Sequence, residues 1–434
     1  MGYRIAACVD SMRCDRASPQ QADSPRRTVH VPVRRAAQVR FLTRRMHKGN
    51  MGNVLQTLSV RLRSDTETLH WLALVLTPGL GARKSVDLIE AYRSVEALFR
   101  ASASELRGCG VSATAAQAIA SGCAFDTAIR LQERMKSEEI GLFTILDPVY
   151  PELLRHIFDP PVCLFHKGRV ESLGMTAVGI VGTRRPTVYG TTVSRRFGRE
   201  FSEGGACVVS GMAKGIDTEA HRGALEAGGP TVAVFGCGID VTYPAENKKL
   251  AGQIADNGLI LSEFPPGSPA YPQNFPIRNR IVAGLCSAVV VVEGKEFSGS
   301  AITARLALDQ GREVFAVPGP ITSAMSDGPN TLIKQGAQPA LSAEDVLMNL
   351  PLVARQGLAA GKKQAEQARQ ASPLEGLTAQ LLEIIPVDSA LNLDQIVELL
   401  PDHSSSEIIA ALFDLELQGS IRQLAGRTFA KVWT

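Results

Sequence analysis

The sequence predicts an α/β protein: a doubly wound parallel sheet at its centre, a small helical domain before it and a winged helix after it. Three observations carry that expectation. Across residues 140–350, six short apolar runs alternate with helical patterns, the rhythm of right-handed βαβ crossovers. Residues 66–135 show short helical stretches broken by glycine. Residues 374–434 read as three helices and a small two-stranded hairpin.

The chain has 434 residues and a formal net charge of +3, which hides an asymmetry. Residues 1–50 hold 11 Lys/Arg and 3 Asp, a net of +8, leaving −5 for the other 384. Residues 1–60 therefore read as a basic, disordered extension. Two readings of it stand open: a nucleic-acid-binding tail, or a segment upstream of a true start at Met46 or Met51. The longest charge-free apolar stretch, Ile281 to Val292, is 12 residues, too short for a bilayer of about 30 Å. No secretory signal pattern opens the chain. The eight cysteines include no C-x-x-C pair, which fits a reduced, cytoplasmic protein with small buried thiols.

In the helical domain, LHWLALVLTPGLGARKSVDLIEAYRS has apolar residues at helical spacing around Pro78-Gly79-Leu80-Gly81. A Gly-x-Gly turn between helices resembles a helix-hairpin-helix, whose amides can meet a phosphate. The turn repeats more weakly at Gly108 and Gly110, and packing alone explains such turns equally well.

The six central strands are expected at Val178–Val181, Cys207–Val209, Val232–Phe235, Leu259–Leu261, Ala288–Val292 and Val314–Val317. Helical patterns at Gly190–Glu203, Asp217–Ala227 and Thr303–Gln310 lie between them. Nearly every strand runs into Gly, Ser or a charge at its carboxyl end, where open α/β sheets bind ligands. The first turn, GIVGTRRPTVYG from Gly179 to Gly190, lacks the G-x-G-x-x-G fingerprint, so no dinucleotide cofactor is expected there. It offers instead a helix N-terminus with Arg184 and Arg185, a phosphate-recognising combination. Three more loops add to it. Ser210 to Gly215 carries a hydroxyl, glycine amides and Lys214; Phe275 to Arg280 sets two arginines ahead of a helix; Ser298 to Thr303 is an anion-cradling turn at a helix start. Residues 178–348 hold 15 Lys/Arg against 16 Asp/Glu, so the cations are focused on one sheet edge rather than spread over a basic face. The aromatics Tyr243 and Phe275 beside that groove suit base stacking.

Catalysis finds little support. Asp217 and His221 lie four apart on a helix, a spacing that can bind metal, but a helix cap and a packed histidine are favoured there. Ser210 lacks the glycine of a nucleophile elbow. No metal, cofactor or catalytic residue is expected.

Residues 351–373, rich in Ala, Gln, Gly and Lys, read as a linker. In the winged helix, Leu393–Leu400 and Ser406–Leu417 are the expected second and third helices, joined at Asp402-His403-Ser404 with Ser406 as cap. Segment 404–417 has no Lys or Arg and carries Glu407, Asp414 and Glu416. An acidic helix suits a protein partner or packing better than the major groove.

The ordered motifs IVGTRRPTVYG, SGMAKGIDTEAHRGALEAGGPTVAVFGCGIDVTYPAEN, SEFPPG, FPIRNRIVAG, VVVVEG, SGSAITARLAL, GREVFAVPGP and GPNTLIKQGA closely resemble the DNA-processing protein DprA (Smf) family. The resemblance covers about Leu146 to Val346. It implies an extended Rossmann-like sheet between a SAM-like helical module and a winged helix. It also implies a non-enzymatic, dimeric binder of single-stranded DNA that protects incoming DNA in natural transformation and helps load the recombinase RecA. Carried over residue by residue, Arg184 would be the main phosphate clamp. Gly182, Thr183, Arg185, Ser210, Gly211 and Lys214 would shape the neighbouring turns. Arg278, Asn279 and Arg280 would hold further phosphates, Lys248 and Lys249 would extend the track, and Ser298, Gly299, Ser300 and Thr303 would close the cradle. Phosphoribohydrolases of the LOG type are the rival reading, but their catalytic carboxylate falls on Leu306, which cannot transfer a proton. A nucleotide-sensing adaptor is a third.

Overall fold

Serine punctuates the N-terminal helices of the structure, a computed structural model that describes residues 63–359 and 373–431 except 387–389, 402, 418–419 and 425. The basic extension and positions 360–372 of the expected linker lie outside the described residues. Ser64, Ser94, Ser102 and Ser112 cap the helices Asp65–Val75, Val95–Phe99, Ala103–Gly108 and Ala113–Ser121, each hydroxyl accepting a first-turn amide. Such caps satisfy donors that a helix start leaves unpaired. With Ala82–Tyr92 and Phe125–Ser137 they enclose Trp71, Leu72, Leu98 and Leu106. Gly79 and Gly110 both take positive φ at the turns.

Nine strands form the central sheet: β1 (Gly141–Thr144), β2 (Cys163–Gly168), β3 (Ala177–Val181), β4 (Cys207–Ser210), β5 (Thr231–Phe235), β6 (Leu259–Ser262), β7 (Ala288–Val291), β8 (Glu313–Ala316) and β9 (Gln338–Pro339). Their order is β1-β2-β6-β5-β4-β3-β7-β8-β9. All six strands expected from sequence are present, and they pair in parallel from β6 to β8. The antiparallel β1 and β2, which extend the sheet beyond β6, are additions. Side-chain alternation splits the core between the two faces. Val178, Ile180, Val208 and Val290 pack on one face, Val181, Val209, Val289 and Val291 on the other.

Helices Val188–Glu203 and Ile216–Glu226 pack closely on the first of these faces. Gly198 and Gly223 make that approach possible, because a Cβ at either would lie 2.3 Å from the Ala220 oxygen or 1.9 Å from the Arg195 oxygen.

His221 sits in this packing, fully buried. Its Nδ1 lies 2.7 Å from the Thr231 hydroxyl, which itself donates to the Val208 oxygen. The hydroxyl's proton is thus committed, so the neutral ring carries its own proton on Nδ1. Burial, with Arg278 adding, pushes the imidazole down to about 3. Burial, with Arg63 adding, pushes His166 down to about 4. The unfolded chain protonates both near pH 6.5, so native stability is full above that pH and is lost toward pH 4, at up to about 1.4 kcal/mol per unit for each ring. Denaturant titrations from pH 7 to pH 4 should show this loss, and His221→Gln should flatten it. An unchanged slope in the variant would contradict the assignment.

The C-terminal part contains helices Pro373–Ile384, Leu393–Leu399 and Ser405–Leu417. Strands β10 (Leu391–Asn392), β11 (Ile421–Leu424) and β12 (Thr428–Lys431) form an antiparallel sheet in the order β10-β12-β11. This is a winged-helix arrangement with its own core of Leu381, Ile396, Ile408, Leu412 and Phe429. The third helix is capped by Ser404 rather than Ser406: Ser404 accepts from the Glu407 amide, and the Glu407 carboxylate accepts from the Ser404 amide.

Candidate functional site

Strand β3 is flanked by β4 on one side and β7 on the other, and the chain winds away in opposite directions from that point. Such a reversal opens a crevice at the carboxyl ends of the strands. A cleft of 750 Å³ lies there, lined by the loops that follow β3, β4 and β7 and by the start of helix Asn274–Leu285.

Arg184 and Arg185, in the loop after β3, are both exposed. The Arg184 guanidinium lies 5.3 Å from the centre of the Phe275 ring, within reach of a cation–π contact. Gly182 and Thr183 line the cleft wall. The helix N-terminus expected here to receive an anion is already filled. Buried Glu293 accepts from the Thr187 amide at 2.9 Å and the Thr187 hydroxyl at 2.6 Å. Gly190 leaves room for it, since a Cβ there would lie 2.2 Å from the carboxylate. The helix dipole thus favours the protein's own anion.

The loop after β4 is mostly framework. Ser210 is buried and donates to the Ile180 oxygen at 2.6 Å. Gly211 reaches the cleft, its amide donating to Asp217. Asp217 is the second residue of its helix rather than the cap, a place taken by Gly215. Its buried carboxylate also accepts from the Ala213 amide. Gly215 has φ +82°, and a Cβ there would lie 2.5 Å from the Thr183 oxygen, so the turn requires glycine. Lys214 does not line the cleft and pairs with Glu246 at 2.5 Å.

Two expectations need correction on helix Asn274–Leu285. Arg278 and Arg280 do not precede the helix but lie within it, and both are buried. Arg278 forms part of the cleft floor, donating to the Gly211 and Val234 oxygens. Burial pulls its pKa down to about 10, although Asp217 opposes the shift. Arg280 does not line the cleft; it pairs with Glu263 at 2.6 Å and Asp159 at 3.0 Å. Both guanidiniums are already engaged, Arg278 by buried carbonyl oxygens and Arg280 by the half-buried Glu263 and Asp159 carboxylates. Asn279 lines the cleft and donates to the Gly299 oxygen at 3.4 Å. Lys248 and Lys249 open helix Lys248–Asn257, exposed but outside the cleft lining.

After β7 the sequence reading finds its cradle and misses its neighbours. Ser298 caps helix Gly299–Asp309, bonding to the Ala301 amide at 3.4 Å and the Ser300 hydroxyl at 2.8 Å. Thr303 is buried and donates to the Gly299 oxygen at 3.1 Å. The Gly299 and Ser300 amides have no partner among the described residues, and the space beside Gly299 is open. This helix start, unlike that at Thr187, is free to meet an anion. Lys295 and Phe297 also line the cleft and are exposed. Lys295 directly follows Glu293-Gly294, so the strand-end rule contained the signal for it. Opposite, Tyr243 and Phe275 form a tilted pair with centroids 5.3 Å apart.

The cleft therefore presents three exposed cations (Arg184, Arg185 and Lys295), free amides and aromatic faces, above a floor whose buried charges are paired internally. Leu306, at the place of the rival carboxylate, packs against the core.

Comparison with known proteins adds to this picture. The DNA recombination-mediator protein A family pattern matches residues 141–351, and a DprA winged helix domain pattern matches residues 365–427. The DNA processing protein DprA of Streptococcus pneumoniae is 46% identical over 205 residues, covering 47% of this chain and 72% of that protein. That of Bacillus subtilis is 44% identical over 223 residues, covering 51% and 75%. The X-ray structure of the Streptococcus pneumoniae protein superposes with a TM-score of 0.57 at 36% identity, over 66% of this chain and 99% of that one.

Proposed function

The chain belongs to the DprA/Smf family of DNA recombination-mediator proteins, and from that premise we propose that its cleft binds single-stranded DNA. The observation that carries the reading is the convergence of free cations and free helix-start amides with aromatic faces at one sheet edge. Arg184 acts as the main phosphate clamp. Arg185, Lys295 and the Gly299–Ser300 turn hold neighbouring phosphates, while Gly182, Thr183, Gly211 and Asn279 shape the wall. Bases lie against Tyr243 and Phe275. Contacts of this kind read backbone and π-faces, so sequence preference is small. Lys214, Lys248 and Lys249 offer an outer basic track for longer strands.

The protein so described is a binder rather than an enzyme. It protects incoming DNA during natural transformation and helps load RecA onto it in the cytoplasm. As a homodimer with two clefts it gains affinity on one strand by linkage. Among the described residues no helix is long and apolar enough to cross a membrane. The acidic third helix of the winged domain, with Glu407, Asp414 and Glu416, faces a protein partner rather than a phosphate backbone.

A salt series tests the electrostatic part. Log affinity for a single-stranded oligonucleotide should fall linearly with log salt, and Lys295→Ala should flatten the slope by about 0.7. A salt-independent affinity, or a duplex that competes equally well, would contradict the reading.

A further inference from the structure

Phe297 is 95% exposed although it lines the cleft. A single exposed apolar side chain is ordinary; its surroundings here are not. It lies two residues after the exposed cation Lys295 and directly before the Ser298 cap, whose helix offers the unpartnered Gly299 and Ser300 amides. The cleft's other aromatics each have a neighbour, with faces left over: Tyr243 tilts against Phe275, and Arg184 lies over Phe275. Phe297 makes no ring contact among the described residues, so its faces are open. Glu296, also exposed, does not line the cleft.

Resting on the proposed binding of single-stranded DNA, we infer that Phe297 is a stacking platform for one nucleobase, whose own phosphate is held by the Gly299–Ser300 amides and Lys295. A base and its phosphate are separated by one sugar, and the platform and the amides by one or two residues. One loop can therefore grip a whole nucleotide. Every base has a π-face, so the platform adds affinity without adding sequence preference. It also explains why an apolar ring stands in water at this position.

The test uses the full chain with two labelled oligonucleotides of equal length, oligo-dT and the same backbone carrying abasic sites throughout. Phe297→Ala should weaken oligo-dT binding about tenfold, equivalent to ~1.4 kcal/mol and within the range for one stacked base. The same variant should leave abasic binding unchanged, and Phe297→Trp should restore oligo-dT affinity. Unchanged oligo-dT affinity in Phe297→Ala, or equal loss on both oligonucleotides, would overturn the inference. Arg184→Glu serves as the control for the cleft itself. If that variant loses binding while Phe297→Ala does not, the platform fails and the cleft stands. If neither loses binding, or the unaltered protein does not bind, both fail.

Discussion

Arg278→Leu is expected to cost the protein about 3–5 kcal/mol of stability, the range for removing one partner of a buried charge pair. The guanidinium is buried and donates to the Gly211 and Val234 oxygens, tying the loop after β4 to strand β5. It also supplies the positive charge near buried Asp217, whose pKa desolvation pushes up while Arg278 holds it down. Leucine leaves two carbonyls unpaired and one carboxylate without its counter-charge. The sign with pH follows. A carboxylate whose native pKa is raised favours the fold below its unfolded pKa and opposes it as pH rises through the native value. Without Arg278 the Asp217 pKa rises further, so the variant's deficit relative to the unaltered chain should narrow on acidification. Denaturant titrations at pH 7 and pH 5 check both points. A deficit under about 1 kcal/mol, or one that widens in acid, would remove Arg278 from the framework.

Arg184→Ala is expected to do the opposite: leave stability nearly unchanged and cost about 1.5–3 kcal/mol of single-strand affinity, roughly tenfold to a hundredfold in Kd. Arg184 is exposed, and among the described residues its guanidinium meets the face of Phe275. Its charge only opposes that of buried Arg278, so its removal takes no support from the core. The two arginines therefore separate binding from folding: Arg184→Ala loses affinity with its stability kept, whereas Arg278→Leu loses stability. Parallel thermal melts and binding titrations decide the matter. An Arg184→Ala protein that binds normally would move the clamp elsewhere.

The difference between these arginines was not visible in the sequence. FPIRNR reads as a basic loop, and only the fold reveals that Arg278 and Arg280 sit inside a helix whose acceptors come from segments distant in the chain. Glu263 and Asp159, which pair with Arg280, lie in loops elsewhere in the chain. Glu293 is likewise remote from the Thr187 amide it occupies, so the first turn promised a helix start that the protein fills itself. Legibility was far better for the six parallel strands, because buried strands between helices leave continuous apolar runs. β1 and β2 were harder to read: they are short, antiparallel and separated by a segment that holds only one short helix, Glu152–Arg155. Of the candidate site, the sequence placed the Arg184 loop and the Ser298–Ser300 turn at strand ends, and both line the cleft. Lys295 was within reach of the strand-end rule and was passed over, whereas Phe297 forms no motif until its loop is placed beside the cleft.

The most direct test of the cleft as the DNA site is fluorescence anisotropy of the full chain with a labelled single-stranded oligonucleotide, comparing the unaltered protein with Arg184→Glu. The account expects tight, salt-sensitive binding that the variant loses while keeping its melting temperature. Binding that survives Arg184→Glu would contradict it and shift the DNA site to the flanking domains.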